Sequence, residues 1–323
     1  MLSIIILILG IILLVLGAEL TVEAAKNLSA KFGISHAFVG LTIISIGTSL
    51  PEIATNIFSG IKNLGAVDAS GIAVGTNIGS CLTQITLILG ITALLGTMHA
   101  TKKTIKRDGF MILMSIAVMF LFGSNGFISR IEGIILITGY IVYLYIVSKD
   151  HAIVKNIKEE ISDSKNTHIR SFNNIVIMCI GIALLIIGTK FVVENALQIA
   201  ESFGLAQSFV GVVIIGVGGA LPELFTACRA IVKGAHGISL GTLIGSNITD
   251  PLFSLGSGAV IAGFAFDKNL LWFDLPFWFF ATAIALLMIK KDLKIGKENK
   301  THGIILIAIY AVFIIVKILH LNS

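Results

Sequence analysis

Three acidic side chains, Glu52, Glu223 and Asp250, lie inside long apolar stretches of this 323-residue chain. Two of them close a repeated motif: Gly47 to Glu52 reads G-T-S-L-P-E, and Gly218 to Glu223 reads G-G-A-L-P-E. A proline within a helix removes one backbone hydrogen bond and frees a carbonyl about one turn earlier. In lipid that carbonyl needs a partner, and a carboxylate at membrane depth is costly unless paired or hydrated. A bound cation answers both needs, as would a neighbouring helix or water. Thr48, Ser49 and Glu52 stand at i, i+1 and i+4, close enough on a helix to offer one cluster of oxygens.

The third acid belongs to a second repeated motif. Gly75 to Gln84 reads G-T-N-I-G-S-C-L-T-Q, and Gly241 to Asp250 reads G-T-L-I-G-S-N-I-T-D. Ser80 precedes Gln84 by four residues and Ser246 precedes Asp250 by four, again on one helix face. No Lys or Arg is expected at that depth to pair with the acids. The donors are all oxygen, which suits hard ions such as Ca²⁺, Na⁺ or Mg²⁺ and argues against Zn²⁺ or Cu⁺. Mg²⁺ is the harder cargo to accept, because it keeps its waters and a near-octahedral shell. One Ca²⁺ among three ionised carboxylates leaves one negative charge for a monovalent ion or a proton to balance. Cys81, Cys179 and Cys228 show no metal-ligand spacing, nor do the seven histidines, and no cofactor is expected.

Such a site needs helices that cross a bilayer. The chain is 56% hydrophobic and 13% charged, about half the charge of a soluble protein. That excludes a soluble enzyme and a disordered segment, and a basic face for nucleic acid is absent. The fold class is all-α integral membrane. Ten candidate spans fall at 2–25, 36–60, 70–95, 109–123, 127–147, 173–196, 207–232, 238–264, 270–289 and 302–320. Placing the N-terminus outside puts 18 of the 23 Lys and Arg in inside loops and 4 in outside segments, with Lys190 inside a span. Both termini are therefore predicted outside and the polar linker 148–172 cytoplasmic.

The two halves superimpose. An offset of 171 carries Leu50-Pro51-Glu52 onto Leu221-Pro222-Glu223 and Glu23 onto Glu194; an offset of 166 carries Gly79-Ser80 onto Gly245-Ser246 and Asp108 onto Asp274. Residues 1–147 form a first five-helix repeat and 173–323 a second. An odd number of spans inverts the second copy, and inverted repeats with broken helices in matching positions place a transport site near the midplane. Lys190 takes the repeat position of Glu19, where it either snorkels to the interface or meets Glu19.

These motifs resemble the cation/calcium exchanger superfamily, in its sodium/calcium exchanger branch, over nearly the whole chain. G-T-S-L-P-E followed by G-x-N-I-G-S is highly specific. The resemblance implies ten helices, with spans 36–60, 70–95, 207–232 and 238–264 around the ions and the first and sixth sliding past them. By motif position, Glu52 and Glu223 would ligate calcium, and Gln84 and Asp250 would lie at the central position. Thr48, Ser49, Ser80 and Ser246 would help form sodium sites. At the sodium-site positions of the second half, Gly219 and Ala220 replace the usual Thr-Ser, which deletes two hydroxyls; Gln84 stands where Asn or Asp is common. One sodium site and the coupling stoichiometry are thereby put in question.

The implied function is a secondary antiporter exchanging Ca²⁺ for Na⁺ by alternating access, with no enzymatic activity. Its alternatives are a proton-coupled or Mg²⁺-carrying exchanger of the same fold and an intramembrane protease using Ser49 or the pair Asp108 and Asp250. The expected partners are small inorganic cations and the lipid bilayer of the cell membrane, with no nucleic acid and a monomeric working form.

Overall fold

The computed structural model describes residues 2–32, 35–65, 68–149, 171–202, 216–296 and 300–321. These residues are largely helical. In chain order, α1 is Leu2–Phe32, α2 His36–Thr48, α3 Leu50–Asn63, α4 Ser70–Leu95, α5 Phe110–Gly123 and α6 Arg130–Ser148. The rest follow as α7 Ser171–Ser202, α8 Gly216–Gly219, α9 Leu221–Val232, α10 His236–Thr249, α11 Leu255–Ala262, α12 Leu275–Asp292 and α13 Lys300–Leu321. Local chemistry sets several boundaries. Ser129 and Glu132 form a reciprocal capping box at the start of α6. Gly263, with φ +72°, ends α11 in a conformation that disfavours a side chain.

Among the described residues, six helices are long and apolar enough to cross a membrane, or seven if α2 and α3 count as one span bent by 45°. Three expected spans fall outside that count. The span at 109–123 is a 14-residue helix that follows the charged Lys106, Arg107 and Asp108; the one at 207–232 begins outside the described residues and continues as α8 and α9; the one at 238–264 carries the polar second motif and, like α4, runs through a π-helical turn, Asp250–Ser254. Most of the linker, 150–170, lies outside the described residues.

Contacts recur at the repeat offset. Strand β1 (Met98–His99) pairs antiparallel with β4 (Lys294–Ile295), and β2 (Phe127–Ile128) pairs with β3 (Phe264–Ala265). The offset of 166 carries β1 onto β3, so the two pairings are mates. Helices α1 and α7 cross antiparallel on glycines. A Cβ on Gly17 would stand 2.7 Å from the Gly181 carbonyl oxygen, and one on Gly188 would stand 2.8 Å from that of Gly10. The offset of 171 carries Gly10 and Gly17 onto Gly181 and Gly188, so this seam is its own mate.

Helix α1 is also tied to the end of α9. Arg229 and Lys233 both engage the Glu19 carboxylate. Lys233 reaches Glu23 at 2.6 Å, and Lys26 donates to the Lys233 carbonyl at 3.2 Å. Burial alone would lower the Lys233 ammonium, but the Glu19 and Glu23 carboxylates hold it above the usual lysine range. The antiparallel crossing sets Lys190 two residues beyond Gly188, beside the start of α1, so the Glu19 partners come from α9.

Candidate functional site

The proline motifs break their helices in the same way. Ser49 sits at the α2–α3 joint with φ −80° and ψ 4°, and Ala220 sits at the α8–α9 joint with φ −84° and ψ 4°. Pro51 and Pro222 then occupy the first turns of α3 and α9, where a missing N–H costs least. Glu52 and Glu223 share those first turns, and the positive end of a helix dipole favours a carboxylate there. Gln84 and Asp250, the repeat mates, each begin a π-helical turn, Gln84–Ile88 and Asp250–Ser254. Pro251 occurs in only one of the two, so proline is not the common cause. Such widened turns gather at functional positions because they re-aim a side chain.

These elements bring the acids into one buried network. Glu52, Glu223 and Asp250 are all at most 1% exposed. Ser80 Oγ donates to Glu52 Oε1 at 2.9 Å. Ser246 Oγ donates to Glu223 Oε1 at 3.0 Å, and Ser49 Oγ donates to the same oxygen at 3.3 Å, across the halves. Gln84 Nε2 donates to Asp250 Oδ2 and to Ser80 Oγ, both at 3.1 Å. Each acid keeps one buried oxygen without a hydrogen-bond partner: Glu52 Oε2, Glu223 Oε2 and Asp250 Oδ1. Buried carboxylate oxygens in that state are costly unless a ligand completes them. Among the described residues no three His, Cys, Asp or Glu side chains converge closely enough to hold an ion by themselves. An ion bound here therefore draws on hydroxyl and backbone oxygens as well.

The remaining residues singled out in the sequence divide. Thr48 Oγ1 donates back to its own helix, to the Ile44 carbonyl at 3.0 Å. Gly219 lies against Glu52, where an added Cβ would stand 2.8 Å from Oε1. Ala220 is fully buried and has no hydroxyl to offer Glu52 as Ser49 does Glu223. The carbonyl of Gln84 is taken by Asn247 at 2.9 Å, so its amide meets the acids as a donor. Asp108 is bound by Arg107 at 2.5 Å and by the Tyr143 hydroxyl at 3.0 Å, an ion pair rather than half of a catalytic dyad with Asp250.

Several members of the network were not among the expected site residues. Asn56 Nδ2 donates to the Glu52 carbonyl and to Ser254 Oγ, both at 2.8 Å. Asn77 Nδ2 donates to Asn56 Oδ1 at 3.0 Å. Cys81 Sγ lies 3.8 Å from Asp250 Oδ2, and Trp278 Nε1 donates to Asn247 Oδ1 at 3.3 Å. Asn77, Cys81 and Asn247 stand inside the second motif, so polarity within an apolar span was the available signal. Trp278 gave none.

Broken helices that place buried acids among hydroxyls define a membrane transporter of small cations, and comparison with known proteins agrees. The family model for sodium/calcium exchanger proteins matches residues 2–149 and 173–319, and this chain belongs to that family. It is 30% identical over 314 residues to the putative antiporter CaxA of Alkalimonas amylolytica, covering 95% of this chain and 96% of that one. It is 28% identical over 350 residues to the sodium/calcium exchanger MaX1 of Methanosarcina acetivorans, covering 97% and 98%. A Ca(2+)/H(+) antiporter of Aphanothece halophytica is 24% identical over 264 residues, covering 72% and 70%. Among solved structures, the sodium-calcium exchanger NCX_Mj matches with a TM-score of 0.78 and 28% identity, over 96% of this chain and 97% of that chain. The protein is thus a multi-pass membrane protein of an exchanger family, and the relatives it matches are named as exchangers and antiporters rather than enzymes.

Proposed function

We propose that this chain exchanges Ca²⁺ for Na⁺ by alternating access at the buried acid cluster. One observation carries the proposal: each of three fully buried acids keeps one oxygen without a partner. Glu52 and Glu223 act as the calcium ligands, with Asp250 at the centre, and Ser49, Ser80 and Ser246 supply hydroxyls to the monovalent ions. Ten spans form two inverted five-helix halves, 1–147 and 173–323, joined by a cytoplasmic linker, with both termini outside. Helices α1 and α7, packed on their shared glycine seam, slide together past the core. The name of MaX1 supports the choice of ions.

The test is radioactive calcium uptake into proteoliposomes under an outward sodium gradient. The wild type accumulates calcium, and Glu52→Gln, which removes one charge at nearly constant shape, reduces uptake at least a hundredfold. Uptake indifferent to Glu52→Gln refutes the assignment.

Proton coupling is the second reading. It is favoured by Gly219 and Ala220, which leave Glu52 poorer in oxygens than Glu223, and by the similarity to a Ca(2+)/H(+) antiporter. Replacing the sodium gradient with a pH gradient separates the two.

A further inference from the structure

One hydrogen-bond chain enters the site from outside the motifs, and its direction is fixed. An indole N–H donates and never accepts, so the Asn247 atom facing Trp278 Nε1 at 3.3 Å is Oδ1. The Leu243 carbonyl only accepts, so the Asn247 atom facing it at 3.1 Å is Nδ2. These two neighbours of fixed character together set this amide, the carbonyl by its lone pairs and the indole by its N–H. Its other N–H meets Gln84 at 2.9 Å, which makes that atom Oε1 and turns Nε2 toward Asp250 Oδ2 and Ser80 Oγ. Ser80 passes the direction on to Glu52 Oε1. Donation runs unbroken from Trp278 to two carboxylates through side chains that are all fully buried.

We propose that Trp278 and Asn247 are positioning residues that hold Gln84 as a tethered donor to Asp250, so that its N–H takes the place of a monovalent cation at Oδ2. The inference rests on the exchange activity proposed above and specifies how many monovalent ions the site admits. Were the Gln84 amide reversed, Asp250 Oδ2, Gln84 Oε1 and Ser80 Oγ would face one another as three oxygens, a ligand set for Na⁺. Held as it is, the amide presents N–H groups there and keeps such an ion out. Gln84 thus acts as a selectivity device through its orientation.

Asn247→Asp tests this, because a carboxylate cannot donate to Gln84 Oε1 and so turns the amide round. The assay is sodium inhibition of calcium uptake in proteoliposomes. The half-inhibiting Na⁺ concentration is expected to fall about tenfold, the scale of one hydrogen bond to a charged group. The same substitution in a Gln84→Leu background should shift it less than twofold. A shift that persists in that background comes from the new charge alone and overturns the proposal.

Trp278 supplies a second arm should Asn247→Asp fold poorly. Trp278→His keeps a ring N–H near the indole position and retains wild-type sodium inhibition, whereas Trp278→Phe loses the donor and lowers the half-inhibiting concentration. A packing role alone predicts the reverse order, with Phe the better replacement, and that order contradicts the proposal. Wild-type vesicles without sodium-sensitive calcium uptake contradict the exchange activity itself. Wild-type exchange with unaltered variants contradicts only the positioning role.

Discussion

Ala220→Ser should strengthen the sodium dependence of transport. Ser49 and Ala220 are repeat mates with nearly the same backbone, φ −80° and ψ 4° against φ −84° and ψ 4°. Ser49 donates to Glu223 across the halves. A serine at 220 is therefore placed to do the same for Glu52, whose Oε1 accepts from Ser80 and whose Oε2 has no partner. Its hydroxyl hydrogen goes to the carboxylate, while its oxygen lone pairs, which an amide N–H lacks, stay open to a sodium ion; a contact of this kind with a charged group is worth about 1.5–3 kcal/mol. Some of that is lost to fitting one oxygen into a fully buried position, which leaves about 1.4 kcal/mol, or tenfold in affinity. The neighbouring glycine behaves oppositely. A methyl at 219 would stand 2.8 Å from Glu52 Oε1, so Gly219→Ala pushes the carboxylate off Ser80 and weakens calcium affinity about fivefold, the scale of one ordinary hydrogen bond. Radioactive calcium uptake across a series of sodium concentrations reads both. An Ala220→Ser protein with unchanged half-saturating Na⁺, or a Gly219→Ala protein with tighter calcium binding, refutes the argument from the repeat.

Other consequences follow from the packing. Lys317 and Asp274 form a buried ion pair at 2.5 Å, so Lys317→Met strands a carboxylate and lowers stability by about 3–5 kcal/mol. Asp274→Leu with Lys317→Met recovers most of that loss in thermal unfolding, since a well-packed apolar pair replaces the ions at little cost. If α1 and α7 slide as one unit, Gly17→Leu, which forces a side chain against the Gly181 carbonyl, should cut maximal transport rate at least tenfold and leave calcium KM within twofold. An unchanged rate would remove α1 from the moving parts.

The acids were legible because charge inside apolar sequence is expensive and the two copies of each motif marked the same positions. The break at Ser49 was legible too, since Pro51 cannot donate to the helix it interrupts. The π-helical turns that begin at Gln84 and Asp250 were not legible, because only one of them carries a proline. Gln84 entered as a central-position residue on the resemblance alone. Whether its oxygen or its nitrogen faces Asp250 depends on Asn247 and on Trp278, which lies thirty-one residues further on. Spacing placed Thr48 near Glu52 but could not say that its hydroxyl hydrogen goes to the Ile44 carbonyl, which leaves its oxygen lone pairs as what it can offer an ion. The contacts of Glu19 with Arg229 and Lys233 were hidden because they join segments more than two hundred residues apart.

Transport at this site turns on which ion moves against calcium. The most direct measurement is calcium uptake into proteoliposomes holding the wild-type chain, with an outward sodium gradient at equal pH compared against a pH gradient without sodium. Sodium-coupled exchange gives rapid uptake under the sodium gradient, none above background under the pH gradient, and loss of the sodium-driven flux in Glu223→Gln. Uptake driven by the pH gradient and indifferent to sodium would contradict it.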